Sequence, residues 1–224
     1  MIVRRTKLAL VAAAAVMLSG CGALHPGTAA VVGSETITHD EVDQVADALC
    51  SAQLTNAQAQ GQPPPSVPTR DTRQSAIQIL LDSELSRQFG AARGVEADRQ
   101  QLTQAVQQNS VGLEQMPEDD FEAFQEALRG YAEGQLMLIE IGQERLGPDA
   151  TEDEALAEGN RLRQRFVRDL DVEIDPRYGS FGDAGYRSGG TALSVPASDR
   201  ARAGERANPS EAWIAALPAS QRCS

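Results

Sequence analysis

The sequence predicts a mainly α-helical domain in which a short extended segment near each end pairs with the other. Apolar residues recur at helical spacing through the middle of the chain, and two Thr-to-Glu patterns mark helix starts. Extended segments near 30–37 and 170–176 flank these helices. Because isolated strands are unstable, we expect a small two-stranded pairing of these segments that packs on the helices.

Residues 1–20 have the pattern of a signal peptide. Three basic residues precede an apolar run over residues 8–18, which is shorter than the roughly 20 residues of a membrane span. The run ends in the stretch LSGC, which resembles the lipobox of bacterial lipoproteins. That resemblance implies cleavage before Cys21 and acylation of its thiol, with residues 21–28 as a tether on the extracytoplasmic face of the cell membrane. The alternative is an ordinary signal peptide that happens to end at a cysteine.

The charge balance excludes several classes of function. Cleavage of the signal peptide moves the formal net charge from −12 to −15, because Arg4, Arg5 and Lys7 are its charged residues. An acidic body favours neither nucleic-acid binding nor charge-driven docking on anionic lipid. Lys7 is the only lysine, so the processed chain has no lysine for Schiff-base chemistry.

The first predicted helix follows a tight turn at Gly33-Ser34. Thr38 and Glu41 have the spacing of a capping box, so the helix should begin there. The polar, proline-rich residues 56–69 then predict a loop. The apolar face of this helix comprises Val42, Val45, Ala46 and Leu49.

Four further helices are predicted between the loop and residue 170. They begin near Arg70, Asp98, Pro117 and Thr151. The second ends toward Gly90–Gly94, and the fourth, which is the longest, ends at Gly147-Pro148. The apolar residues of these four helices, in chain order, are as follows: Ile77, Leu80, Leu81 and Leu85 in the second helix; Leu102, Ala105 and Val106 in the third; Phe121, Phe124, Leu128, Tyr131, Leu138 and Ile139 in the fourth; and Leu156, Leu162 and Phe166 in the fifth.

The apolar period changes from helical to alternating near residue 170. Leu170, Val172 and Ile174 alternate with acidic residues, as in a half-buried strand that ends at Pro176. Residues 182–224 predict an extended tail, with a short helix near 209–217. The acidic residues are Asp169, Asp171, Glu173 and Asp175.

Three stretches together resemble the chaperone domain of the SurA/PrsA family of extracytoplasmic foldases. They are AAVVGSETITHDEVDQVAD (29–47), the region 78–95 that ends before EAD, and VEIDPRYGSF (172–181). The last is similar to the closing strand of actinobacterial lipoprotein members. The resemblance implies a SurA N-terminal-like helical domain over residues 29–181 that binds unfolded or secreted polypeptides.

The chain departs from the family pattern at one informative place. Members commonly insert a parvulin-type prolyl isomerase domain before the closing helix, whereas here Gly147-Pro148 leads directly into Thr151. The paired histidines of a parvulin are also missing, since the two histidines are His25 and His39. The expectation is a lipoprotein form without isomerase activity.

Clusters of titratable residues favour structural roles. His39, Asp40 and Glu41 lie in a first helical turn, where we expect a solvated histidine and carboxylates at the positive end of the helix dipole. The acidic residues of the strand lack the glycine and bidentate glutamate of a calcium loop. Residues 179–185 precede no predicted helix, so they are not a phosphate loop. We expect no enzyme activity, no cofactor, no metal and no small-molecule substrate.

The resemblance implies that unfolded clients bind to an apolar surface between helices. The competing interpretation is that these apolar residues are all core; an exposed patch of several hundred Å² would favour client binding. A structural or assembly lipoprotein that docks one envelope partner is the alternative function. The candidate client-binding residues are Leu80, Leu81, Leu85, Phe121, Phe124, Leu128 and Tyr131.

Two cysteines remain once Cys21 is assigned to lipidation. In an oxidising compartment the simplest assignment is one disulfide between Cys50 and Cys223, which would tie the tail to the first helix. The alternative is two unrelated thiols, one of which pairs between molecules.

Overall fold

A computed structural model describes residues 25–182, 185–188, 196–204, 206 and 209–223. The predicted signal peptide (1–20) and Cys21 lie outside these residues. The helices are α1 (His39–Ala59), α2 (Thr69–Arg93), α3 (Arg99–Ser110), α4 (Glu118–Leu146), α5 (Glu152–Val167), α6 (Asp199–Gly204) and α7 (Glu211–Ala215). The strands are β1 (Thr28–Val32), β2 (Glu35–Thr38), β3 (Val67–Pro68), β4 (Val172–Ile174), β5 (Gly179–Gly182), β6 (Gly185–Ser188) and β7 (Arg222–Cys223).

The fold class is mainly α, as predicted. The helices α1 to α5 account for most of the described chain, and the strands are short. Within the described ranges, no helix has both the length and the apolar character needed to cross a membrane.

Two capping boxes fix the starts of α1 and α5. The Thr38 hydroxyl accepts a hydrogen bond from the Glu41 backbone N–H at 3.2 Å, and the Glu41 carboxylate accepts one from the Thr38 N–H at 2.6 Å. Thr151 and Glu154 repeat this arrangement at α5. Each box satisfies N–H groups that have no partner within the helix, and both predicted starts are confirmed.

Strand β1 lies at the centre of a three-stranded antiparallel sheet with the order β2-β1-β4. Ala30 pairs with Ile37 on one side and with Ile174 on the other. The predicted pairing of the two ends is confirmed, but its two-stranded form is wrong. The chain reverses at Gly33, whose φ of +60° suits a residue without a Cβ, so the segment 30–37 is itself a hairpin.

The main core lies between this sheet and the helices α1 and α2. Its largest fully buried side chains include Val32, Val42, Ile77 and Leu81. A second cluster joins α2, α4 and α5 through Phe89, Met137, Leu138, Ile141 and Phe166. The apolar faces predicted for α1 and α2 therefore face the interior.

Helix α4 contacts α1, α2, α3 and α5, and glycines allow α5 to approach it closely. Gly142 of α4 faces the backbone of Ala155, and Gly159 of α5 faces the backbone of Leu138. A Cβ at either glycine would overlap a carbonyl oxygen of the other helix. Pro117 is the residue before α4 and not its first helical residue.

The proline-rich loop is shorter than the predicted residues 56–69. Helix α1 continues to Ala59, and the buried Ala57 packs one face of its last turn. Alanine and glutamine are good helix formers, and they extend the helix to Ala59, with Gln60 as the C-cap before Gly61. Strand β3 then occupies Val67–Pro68.

The tail after residue 181 has more structure than predicted. Strands β5 and β6 form a hairpin in which Phe181 pairs with Tyr186, and both aromatic side chains pack on the main core. The hydroxyl of Tyr186 donates to the carbonyl of Tyr178 at 2.7 Å, and burial raises the pKa of Tyr186 to about 12. Helix α7 falls within the predicted 209–217, whereas α6 was not predicted. The sequence TALSVPAS (191–198) predicts an extended piece, of which residues 191–195 lie outside the described residues.

The end of the tail is fastened to the helical body. Cys223 forms a disulfide with Cys50 of α1, and β7 pairs with β3. The Arg70 guanidinium at the start of α2 lies 5.7 Å from the ring centroid of Trp213 and hydrogen bonds to the Gly204 carbonyl. The structure thus contains the predicted intramolecular disulfide.

His39 is not the solvated side chain that the sequence predicted. One ring nitrogen lies 2.9 Å from the Tyr178 hydroxyl and the other lies 2.6 Å from Arg177 Nη2. Arg177 also binds Asp175 at 2.6 Å, and this hydrogen bond lowers the pKa of the Asp175 carboxyl. The prediction was wrong because β4 brings residues distant in sequence to the start of α1.

We expect Gly142→Ala to destabilise the fold, because the new Cβ overlaps the α5 backbone. The free energy of unfolding, measured by urea denaturation, should fall by about 3 kcal/mol. The control is Gly130→Ala in the same helix, where the Cβ would meet Ser83 at an ordinary 3.5 Å. This control should be neutral or stabilising by up to about 1 kcal/mol. Equal effects of the two substitutions would contradict the close crossing.

We expect reduction of the Cys50–Cys223 disulfide to lower the free energy of unfolding by about 2–5 kcal/mol, because the bond closes a long loop in the unfolded chain. Urea denaturation with and without reductant measures this difference. A Cys50→Ser/Cys223→Ser variant should have the same free energy of unfolding as the reduced protein, and the addition of reductant should not change it. Identical curves for the oxidised and reduced native chain would show that the bond does not constrain the fold.

Candidate functional site: an apolar groove between α1, α2 and α4

An apolar groove of about 360 Å³ opens where α1, α2 and α4 meet. Small-ligand sites commonly enclose roughly 300–1,000 Å³, so this groove has room for a few side chains of a polypeptide. Its lining residues are Val45 and Leu49 of α1; Ser75, Gln78, Ile79 and Asp82 of α2; and Phe124, Ala127, Leu128 and Tyr131 of α4.

The α4 wall of the groove follows from helical spacing. Phe124, Leu128 and Tyr131 stand about one turn apart, so they share one face of the helix. Tyr131 is 41% exposed and Leu128 is half-buried, so this wall is open to the solvent. Tyr131 presents an apolar ring with a polar hydroxyl, a combination frequent at binding surfaces.

The groove lies between two parts of the protein interior. On one side, Leu49 and Ala127 pack against the main core. On the other, Phe124 packs with Phe121 on a small cluster of Ala52, Leu113 and Met116. Both walls are therefore supported from behind, and the groove exists without a bound partner.

One polar end of the groove is formed by α2. The Asp82 carboxylate lies 3.3 Å from Arg163 Nη2 of α5. Burial raises the pKa of Asp82, and the Arg163 charge partly opposes this rise. Arg163 also donates to the Ser86 hydroxyl at 2.7 Å. These groups are engaged with each other, and Ser75, Gln78 and the Tyr131 hydroxyl are the other polar parts of a mainly apolar lining.

The candidate residues from the sequence divide into three groups. Phe124, Leu128 and Tyr131 line the groove, as the predicted binding surface requires. Leu81 and Leu85 are 1% and 4% exposed and belong to the main core, so they are not available to a client in this structure. The other two are partly buried side chains that lie outside the groove lining: Leu80 and Phe121.

Sequence reasoning missed other lining residues. The sequence predicts Val45 and Leu49 on the core face of α1 and predicts no role for Ile79. Val45 and Leu49 contact the main core and also line the groove, whereas Ile79 lines the groove as a half-buried side chain. The helical spacing of apolar residues identifies the apolar stripe of a helix, but it does not show which edge of that stripe is left uncovered by neighbouring elements.

The described part of the chain can also be compared with the geometry of a metal site. Among those residues, no group of three or more His, Cys, Asp or Glu side chains is placed to hold a metal ion. The four acidic residues that alternate with Leu170, Val172 and Ile174 lie along β4 and its flanks, where Asp175 is paired with Arg177.

A family model described as the SurA-like N-terminal domain matches residues 2–132. The chain belongs to this family. All residues that line the apolar groove, from Val45 to Tyr131, lie within the matched part. Membership in the SurA-like family indicates a chaperone-like role. No curated protein matches the chain.

Proposed function

We propose that this protein is a lipid-anchored, extracytoplasmic chaperone-like protein that binds unfolded or secreted polypeptides without catalysing a reaction. The observation that carries the proposal is the apolar groove, which lies within the SurA-like part of the chain. Polypeptides in transit across the membrane expose apolar side chains, which such a groove can shelter.

The chemistry of the groove suits a binding site for many sequences. Leu49, Ile79 and Leu128 offer non-directional contacts, and hydrophobic association depends on the apolar area removed from water. A groove that reads one sequence would need several unpaired donors and acceptors. Here the Asp82 carboxylate, which could serve as an acceptor, is already paired with Arg163.

The absence of prolyl isomerase activity is part of the proposal. Helix α4 ends at Leu146 and α5 begins at Glu152, so residues 147–151 alone connect them. The Gly147 N–H closes α4 by donating to Gln143 at 2.8 Å, and Thr151 caps α5 at once. This connection supports a chain in which no domain interrupts the helical body at that position.

Membrane anchoring rests on the N-terminal sequence. The stretch LSGC ends at Cys21, and residues 22–27 lie between this cysteine and β1. Two or more acyl chains bind a bilayer firmly, whereas one chain binds marginally. An anchored groove would meet polypeptides as they emerge from the membrane.

We expect a Leu128→Ser/Tyr131→Ser variant to lose suppression of client aggregation, because both substitutions remove apolar surface from the groove. The measurement is light scattering of reduced lysozyme and of heat-unfolded citrate synthase. Leu146→Ser is the control, since Leu146 is 51% exposed on the same helix and lies outside the groove. The native chain and the control should protect both clients.

Two outcomes would contradict this proposal. If the double variant protects clients as well as the native chain while its thermal unfolding is unchanged, the groove is not the binding site. If the native chain protects no unfolded client, and a crosslinked pull-down yields one stoichiometric envelope partner, the chain is an assembly lipoprotein.

We expect Cys21→Ala to abolish acylation and lipobox-dependent cleavage before residue 21, because the variant lacks the cysteine that both steps require. Fractionation followed by mass spectrometry of the N-terminal peptide measures both effects. In the native chain, the mature N-terminus should be Cys21 with attached acyl chains. An unmodified Cys21 in membrane-free material would contradict the anchor.

A further inference from the structure

A second depression, of about 340 Å³, adjoins the apolar groove. The two share Val45 of α1 and Ala127 of α4 in their linings, so they form one continuous surface. The second depression also includes residues from β2 and α2. We call it the acidic shelf, because its lining contains five glutamates, namely Glu35, Glu41, Glu84, Glu126 and Glu133.

One cation, Arg87, stands among these carboxylates, and it is already paired. Its Nη2 lies 2.7 Å from Glu84 and 3.9 Å from Glu35. The hydrogen bond to Glu84 raises the pKa of Arg87, and the charges of Glu35 and Glu133 raise it further. Glu126 is exposed. The shelf therefore keeps a negative excess next to the apolar groove.

Carboxylates also gather near the other end of the groove. Asp120 lies one helical turn before the groove residue Phe124. Burial raises the pKa of Asp47 on α1, and the neighbouring carboxylates of Asp120 and Asp43 raise it further. These like charges repel one another, and the Arg73 charge, 2.6 Å from Asp43, offsets the repulsion only in part, since the pKa of Asp47 stays raised.

We propose that the partner of this surface is an amphipathic polypeptide segment with apolar side chains on one face and arginine or lysine on the adjoining face. The apolar face enters the groove, and the basic side chains lie over the acidic shelf. This inference rests on the proposed function and names the class of client that binds best.

Among clients with identical apolar faces, those with basic side chains should bind more tightly, because their charge is opposite to that of the acidic shelf. Opposite charges speed the encounter and fix the orientation of the segment, whereas acidic segments meet like charges. The whole chain is acidic, with a formal net charge of −12, so it attracts basic peptides in general. The experiment must therefore distinguish this overall attraction from binding of the peptide at the acidic shelf. Attraction between exposed charges weakens as salt shortens the screening length.

The test uses three synthetic peptides with the same leucine and phenylalanine face. Their adjoining face carries arginine, glutamine or glutamate. Fluorescence anisotropy measures the dissociation constant of each with the full processed chain at low and high salt. The arginine peptide should bind about tenfold more tightly than the glutamine peptide at low salt, a difference of about 1.4 kcal/mol. The glutamate peptide should bind most weakly.

Two variants with the same net charge locate the effect. Glu126→Gln/Glu133→Gln removes two shelf carboxylates, and Glu140→Gln/Glu144→Gln removes two from the same helix that line neither depression. The shelf variant should weaken arginine-peptide binding about five- to tenfold at low salt, in keeping with the strength of exposed charge pairs. The control variant should leave it within about twofold.

The outcomes separate this inference from the proposed function. If the arginine and glutamine peptides bind equally, or if both variants weaken binding equally, the shelf does not select basic clients although the groove still binds apolar ones. If none of the three peptides binds, the inference and the proposed function both fail.

Discussion

Hydrogen bonding along both edges of β1 is the constraint on which the rest of the structure depends. One edge pairs with β2, which runs directly into the capping box of α1, and the other pairs with β4, which follows α5. The start of the first helix and the end of the last helix of the body are therefore held at one sheet. The hydrogen bonds of His39 with Tyr178 and Arg177 reinforce this junction.

The pairing of β1 with β2 and β4 determines which apolar surface of the helices is left uncovered. Helix α1 begins at the sheet and packs against α2 and α4. Helix α5 packs on the C-terminal part of α4, where Gly142 and Gly159 allow the two backbones to approach closely. Helix α5 thus covers Leu138 and Ile141, whereas the part of α4 that carries Leu128 and Tyr131 remains open. The groove is a consequence of the length of α4 and of the place where α5 packs.

Features set by local chemistry could be predicted from the sequence, and features set by distant packing could not. The capping boxes at Thr38 and Thr151 use residues three apart, so their helices begin where predicted. The hairpin of β5 and β6 was missed because it depends on Phe181 and Tyr186 packing on a distant core. Leu81 was assigned to a binding surface and is core, because periodicity does not reveal which neighbour covers a helix face.

The central claim is that the groove between α1, α2 and α4 receives unfolded polypeptide. Site-specific photocrosslinking tests it most directly, with a photoreactive phenylalanine analogue placed at Tyr131 or, as the comparison, at Leu146. Both positions are exposed on α4, but Tyr131 alone of the two lines the groove. If the claim is correct, reduced lysozyme forms crosslinks with position 131 and few with position 146. Equal crosslinking from both positions, or none from position 131, would contradict it.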